Sequence, residues 1–432
     1  MYHSISAERR TSPVPWSYLV DPLLQFTAIW CLFSLKIFLV KFGEAGLRPD
    51  DLLILLSLIG LALAGRFRRT PISLPLRMYL IFAGIEFLST TWNATQGRVS
   101  FVYSMVFVLR ILEYVAFYFI GYSLAHSGFR LERATTWYFW AVCLIVPLQM
   151  IGVVPVPGDF GPARASANTN GPYEFAIVCC FILCYIAYKK RHFLVGLLAM
   201  VLLALTGSRI TLVAAALSLL HFGLTRTRSK GKSLIIAVVL AMFGGGFYLA
   251  SSSGLISIEA FKRLGNSKSY SLSDMGNVYD AIPVVSTATE YYDGPFQDLN
   301  GLDTGSFDGD VSGLIRFTRW ITLLKASFSH ADTILLGLGP SFGSAAVDGY
   351  FTRCLAETGI LGLASFLVFL ISAITTRKDS NWYFREYVAI MAFSALFIDI
   401  FLSYKSMMLL WLWHGMNQYR QQRQTAKVLA DA

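Results

Sequence analysis

From Phe193 to Thr225 the chain runs for thirty-three residues with a single formal charge, Arg209. As one helix this run would be roughly 50 Å long, against a bilayer hydrocarbon core of about 30 Å. Basic clusters flank it on both sides, "KKRH" before and "RTRSKGK" after. A single crossing would put one cluster outside, against the bias that keeps Lys and Arg in the cytoplasm. A hairpin keeps both inside and sets Thr206-Gly207-Ser208-Arg209 at the outer turn. Its arms of 14 residues from Phe193 and 16 from Ile210 span only roughly 21 and 24 Å. The turn is therefore predicted to lie below the outer membrane surface, where non-helical backbone is tolerated only against protein or a water-filled cavity. The expectation is an outward-facing recess with an arginine on its floor.

The remaining chain follows the same pattern. Only 14% of its 432 residues are charged and 55% are hydrophobic, whereas a soluble protein carries about 25% charged residues. Apolar runs of membrane-spanning length start near Leu23, Leu52, Met78, Val99, Thr135, Tyr173, Phe193, Ile210, Ser233, Phe351, Tyr387 and Met407. With that threading, twenty-one Lys and Arg fall on the side of the two termini and six in the short connections opposite. The fold predicted is an all-α polytopic membrane protein of about twelve transmembrane helices, both termini cytoplasmic, in one integral membrane domain over 1–432. The first apolar segment, after Asp21, reads as a retained helix rather than a signal peptide.

One long polar connection, 251–350, lies on the outer side between spans nine and ten. It carries eleven acids and six bases, net −5, while the remainder of the chain is +15. Loops of this length inside a compact domain are usually functional. The six cysteines form no CxxC pair and the six histidines show no ligand spacing, so no metal, no cofactor and no nucleic-acid partner is expected.

Arginines converge on the outer side. Arg164 sits in the turn "GPARASANTNGPYEF", Arg209 at the hairpin turn, and Arg316 and Arg319 in "SGLIRFTRWITLLKASF", where Arg316 and Trp320 share a helix face at i, i+4. Arg353 begins the tenth span. The bland reading of an arginine near a helix end is interfacial snorkelling. Against it, a guanidinium suits a planar, bidentate grip on phosphate oxygens, so a cluster suggests an anionic phosphate or diphosphate headgroup. Asp348 stands just before the tenth span, where a carboxylate can take a proton from a hydroxyl or simply serve the helix N-terminus. Glu174, Trp320, Arg319, Arg353 and Tyr350 are candidate substrate contacts beside it. Tyr291 and Tyr292 suit either sugar faces or packing.

Other patterns read as structural. Gly339-Pro340-Ser341-Phe342-Gly343 matches the nucleophile elbow formally, without the α/β-hydrolase sheet that motif requires. "DLNGLDTGSFDGD" misses the spacing of a calcium loop. Among the ionisable residues inside spans, Lys36, Glu86, Arg110, Glu113, Glu174 and Asp399, the i, i+3 pair Arg110 and Glu113 is expected to neutralise itself.

The outer-face stretches together resemble the O-antigen polymerase and O-antigen ligase superfamily. "LTGSRITLVAAAL" is similar to its T-G-S-R turn between two short helices, and "SGLIRFTRW" to its R-x-x-x-W helix late in the large periplasmic loop. "GLGPSFG…VDGYFTRCLAETGILGLASF" resembles its G-x-G segment followed by H-N-x-Y-L-x-x-L-x-E-x-G-x-x-G. Counting back from Glu357, the ligases' His-Asn falls on Asp348-Gly349, which departs from the ligase pattern but keeps a base. The resemblance implies a GT-C-like glycosyltransferase of the bacterial inner membrane with its site facing the periplasm. It implies an undecaprenyl-diphosphate-linked oligosaccharide as donor and acceptor, held by Arg209, Arg316 and Arg164, with Asp348 activating the acceptor hydroxyl. Membrane lipid, a chain-length regulator and a flippase are the partners implied. A repeat-unit polymerase fits best; an O-antigen ligase or protein O-oligosaccharyltransferase is the nearest alternative, and a secondary transporter a more distant one.

Overall fold

The computed structural model describes residues 17–35, 39–42, 45–156, 164–188, 192–226, 279–293, 311–343, 347–375 and 382–431. These residues are mostly helical, with one short antiparallel hairpin pairing β1 (Val40–Phe42) and β2 (Ala45–Leu47). The helices are α1 (Ser17–Phe33), α2 (Pro49–Leu63), α3 (Leu74–Thr95), α4 (Phe101–His126), α5 (Leu131–Met150), α6 (Pro172–Ile182), α7 (Phe193–Leu205) and α8 (Arg209–Arg226). They continue with α9 (Ala288–Tyr292), α10 (Val311–Ser327), α11 (Ala331–Leu336), α12 (Tyr350–Thr375), α13 (Trp382–Ser394) and α14 (Tyr404–Asp431). Two of them, α4 and α12, are long and apolar enough to cross a membrane on their own, and shorter apolar helices lie in α1, α6, α7 and α8. The ninth apolar run, Lys36, and the calcium-like stretch fall outside the described residues.

Helix starts follow the local chemistry. Ser73 caps α3 through the Leu76 amide (3.4 Å), with Pro75 in the first turn where no amide partner is needed. Before α2, the Asp51 carboxylate accepts the Arg48 amide at 2.8 Å. The 193–225 run breaks as its length required, with α7 ending at Leu205 and α8 starting at Arg209.

The core is built on α4 against α14 and α3 against α12. A Cβ on Gly121 would lie 2.2 Å from the Leu412 carbonyl oxygen, and one on Gly415 would lie 2.1 Å from that of Tyr118. This reciprocal pair of glycines lets the two backbones touch, the small-residue contact by which apolar helices associate closely. Tyr79, Phe366, Phe369 and Trp411 fill the layer between α3, α12 and α14.

A second break shapes the surroundings of Asp348. Gly359 takes φ +66° inside α12, which frees carbonyls that the helix would otherwise use. Those of Ala356 and Glu357 accept the amides of Leu338 and Gly339 at 2.8 and 3.0 Å, and Ser89 Oγ also donates to Glu357 O at 2.8 Å. The segment after α11 is thereby laid across the kink. Ser341 is buried on it, bonded to Ser104 Oγ at 2.9 Å, and a helix precedes it where a nucleophile elbow would need a strand.

Four charges form a network between α2 and α4. Arg48 reaches Glu113 at 2.9 Å and Asp51 at 3.2 Å, and Arg110 reaches Asp51 at 2.9 Å and also bonds Glu113. The Arg48 guanidinium lies over the Tyr404 ring, 3.8 Å from its centroid. The i, i+3 pair expected of Arg110 and Glu113 is thus half of a four-residue network.

Candidate functional site

The site begins at the turn between α7 and α8. Thr206 and Ser208 are buried there and bonded locally: Thr206 Oγ1 donates to Leu203 O (2.6 Å), Ser208 N to Thr206 Oγ1 (3.1 Å) and Ser208 Oγ to Thr211 Oγ1 (2.8 Å). The polar side chains thus satisfy the turn inside a protein enclosure, as backbone at that position requires. Arg209 opens α8 just beyond it, partly exposed.

Residues 164–165 lie across the end of α7. Ala165 N donates to Leu205 O at 3.0 Å and Arg164 Nε to Thr206 O at 2.9 Å. The Arg164 guanidinium sits over the Tyr173 ring, 4.7 Å from its centroid, a cation–π distance. The Tyr173 hydroxyl in turn accepts from Arg316 Nη2 at 3.2 Å, and Arg316 Nε donates to Asp348 Oδ2 at 3.2 Å. One turn further along α10, Trp320 Nε1 donates to Val347 O at 2.9 Å. The i, i+4 face of Arg316 and Trp320 therefore grips one loop, at its side chain and at its backbone.

A continuous line of contacts thus joins Arg164, Tyr173, Arg316 and Asp348 to the turn that precedes Arg209. Burial opposes the charge on Arg316, but Asp348 and the Tyr173 hydroxyl outweigh it and hold its pKa above the ordinary value. The cation is permanent, partly open to solvent, and its Nη1 makes no hydrogen bond among the described residues. Among the described residues, two guanidiniums and one carboxylate are thus brought together around the Tyr173 ring.

Three of the expected substrate contacts point elsewhere. Glu174 is buried, with one oxygen on the Asn170 amide (2.8 Å) and the other on the Lys405 amide (2.7 Å), so it ties α6 to α14. Tyr350 is buried against Phe366 and Phe401 and packs the core. Arg353 is 1% exposed and lies between Asp399 (3.1 Å) and Glu357 (3.3 Å), an internal ion cluster instead of a surface grip. Arg319, partly buried beside Trp320, makes none of the contacts that join Arg316 to Asp348. Tyr291 is buried against Phe342, while the Tyr292 hydroxyl donates to Ser341 O at 2.9 Å.

Sequence reasoning passed over Tyr173, the residue that bridges the two arginines. Its signal was its place: it follows Gly171-Pro172 at the start of an apolar helix, nine residues after Arg164. No protein-family model and no curated protein matches the chain.

Proposed function

We propose that the chain is a multi-pass glycosyltransferase of the bacterial inner membrane that polymerises lipid-linked oligosaccharide repeat units at the periplasmic face. In this reading about twelve spans thread the bilayer, both termini are cytoplasmic, and 251–350 is a periplasmic loop. The basic-residue asymmetry supports that threading, and the two long apolar helices support a membrane location. The observation that carries the function is the contact line Arg164–Tyr173–Arg316–Asp348 beside the Arg209 turn.

The donor is a glycan on undecaprenyl diphosphate. Arg209, Arg316 and Arg164 hold the diphosphate, and their charge stabilises the oxygen that becomes anionic as the glycosyl carbon–oxygen bond breaks. Such preorganised donors are typically worth about 3 kcal/mol each. The acceptor is the lipid-linked repeat unit, whose hydroxyl oxygen forms the new bond to the glycosyl carbon. Its proton passes to the Asp348 carboxylate, and undecaprenyl diphosphate leaves with the electron pair. Binding of the diphosphate to Arg316 competes with the Arg316–Asp348 pair, so donor arrival releases the carboxylate for that work.

Purified protein incubated with lipid-linked repeat alone should yield a ladder of multiples. Unchanged substrate that reacts only when a second acceptor is added would make the protein a ligase or oligosaccharyltransferase instead. Arg209→Ala should abolish the ladder while the protein remains in the membrane; normal chain lengths from it would sink the proposal.

A further inference from the structure

Asp399 lies between α13 and α14, where the chain leaves helical geometry before a short 3-10 turn, Ile400–Leu402. Its Oδ2 accepts the amides of Val347 (2.8 Å) and Asp348 (3.2 Å) and Arg353 Nη2 (3.1 Å), and its Oδ1 accepts the Gly349 amide at 3.2 Å. Three successive amides therefore converge on one carboxylate. Asp348 takes φ +58° to allow this, a left-handed conformation that aspartate tolerates better than most residues. The next amide, Tyr350 N, donates to Ala395 O at 2.8 Å. Four consecutive backbone groups, 347 to 350, are thus fixed to the segment 395–399, while Trp320 holds Val347 O from the opposite side.

We propose that Asp399 is a positioning residue for Asp348, setting the backbone from which that carboxylate reaches Arg316 and the acceptor hydroxyl. This role rests on the reading of Asp348 as the acceptor base. A counter-ion for Arg353 alone does not explain the arrangement. Glu357 already faces that guanidinium at 3.3 Å, and neutralising it requires no contact with three amides of another segment. The amide cradle has a different consequence: it fixes the backbone of 347–349, from which the Asp348 carboxylate bonds Arg316. A general base must stand within hydrogen-bond reach of its proton, and a displacement of about 1 Å can cost about a hundredfold in rate.

The test combines activity with hydrogen exchange on the full-length protein in detergent. Asp399→Asn replaces an acceptor oxygen with an amide that opposes the loop's own N–H groups. Asp399→Glu keeps the charge beside Arg353 but moves the oxygens by a methylene, and so preserves folding if the first variant does not. Both should lower kcat about a hundredfold with donor KM changed less than about threefold. In the Asp348→Asn background the same substitutions should add no further loss, because they act through the residue already removed. Amide exchange over 347–349 should quicken while exchange in α4 and α14 stays at its original rate. Wild-type kcat and unchanged exchange in the Asp399 variants, beside an inactive Asp348→Asn, overturn the role of Asp399 alone. Losses that add to that of Asp348→Asn overturn it too, since a general weakening of the fold would act independently. Full activity in Asp348→Asn overturns instead the reading of Asp348 as base, and this role with it.

Discussion

Arg316 and Arg353 are the same side chain in two settings. Arg316 is 24% exposed and faces one carboxylate, Asp348, and one phenol, Tyr173. Arg353 is 1% exposed and faces two carboxylates, Asp399 and Glu357. At the first, a second guanidinium, Arg164, stands one ring away and water has access to Arg316. At the second, positive charge is outnumbered and enclosed, so an incoming anion would meet two acids. Arg48, 3% exposed and matched by Asp51 and Glu113, belongs with Arg353. The difference teaches that arginine content near a helix end decides little; burial and the number of opposing acids set one guanidinium apart from another. Buried pairs are costly to form and costlier to break singly, whereas a surplus of one sign at an open surface attracts the opposite charge.

The sharpest way to break that comparison is to remove each guanidinium in turn. Arg353→Met leaves Asp399 and Glu357 facing each other without a cation, and such a loss typically costs about 3–5 kcal/mol. The variant should lose much of its folded, monodisperse protein in detergent and melt well below the parent. Arg316→Met should cost about 1 kcal/mol or less in stability, as expected of a partly exposed pair, yet lower transfer about a hundredfold to a thousandfold. Equal melting temperatures for the two variants would erase the distinction between them.

Arg164 offers a smaller step. Its guanidinium both stacks on Tyr173 and bonds the Thr206 carbonyl, a combination a lysine ammonium does not reproduce. Arg164→Lys keeps the charge and should weaken donor binding by about 1 kcal/mol, read as a roughly fivefold rise in donor KM with kcat little changed. A loss as deep as that of Arg316→Met would mean that Arg164 acts on the reacting atoms and not on the shape of the recess.

Little of this contrast is legible in the sequence, which sets Arg316 and Arg353 side by side as candidates; what it does carry is local. The break at Thr206–Ser208 follows from the length of one apolar run and the charges beside it. The joint reach of Arg316 and Trp320 toward one loop follows from their i, i+4 spacing. Those are local relations, fixed by helix geometry. Arg353 was legible only in part: Glu357 lies one turn on, but its second acid, Asp399, is 46 residues away in sequence. Glu174 turns inward to the Lys405 amide of α14, and the Tyr350 ring packs on Phe366 and Phe401. No periodicity encodes which of two helical faces meets a distant neighbour. Tyr173 escaped notice for a related reason, since its value lies in bridging arginines from two remote segments.

The gentlest test uses an acid at the surface, where the comparison predicts the least. Asp332 accepts from Arg98 Nη1 at 2.7 Å and from Trp92 Nε1 at 3.0 Å, tying α11 to the end of α3. The bond from Arg98, followed by that from Trp92, lowers its pKa from 3.8 to about 2. A carboxylate with a depressed folded pKa adds stability above its unfolded pKa and loses it as pH falls through the folded one. The contribution of Asp332 is therefore full at neutral pH, begins to fall as pH approaches 3.8 and is lost only below about pH 2. Solvent screening should keep it to about 1 kcal/mol or less. Comparing the parent with Asp332→Asn isolates this group from every other titrating acid. The difference in melting temperature should be small at pH 7 and approach zero below about pH 2. A large difference at neutral pH would place Asp332 with the enclosed acids around Arg353, where removing one partner strands the other. A small one that fades with acid would confirm that exposure, more than the presence of an ion pair, sets what each charge is worth.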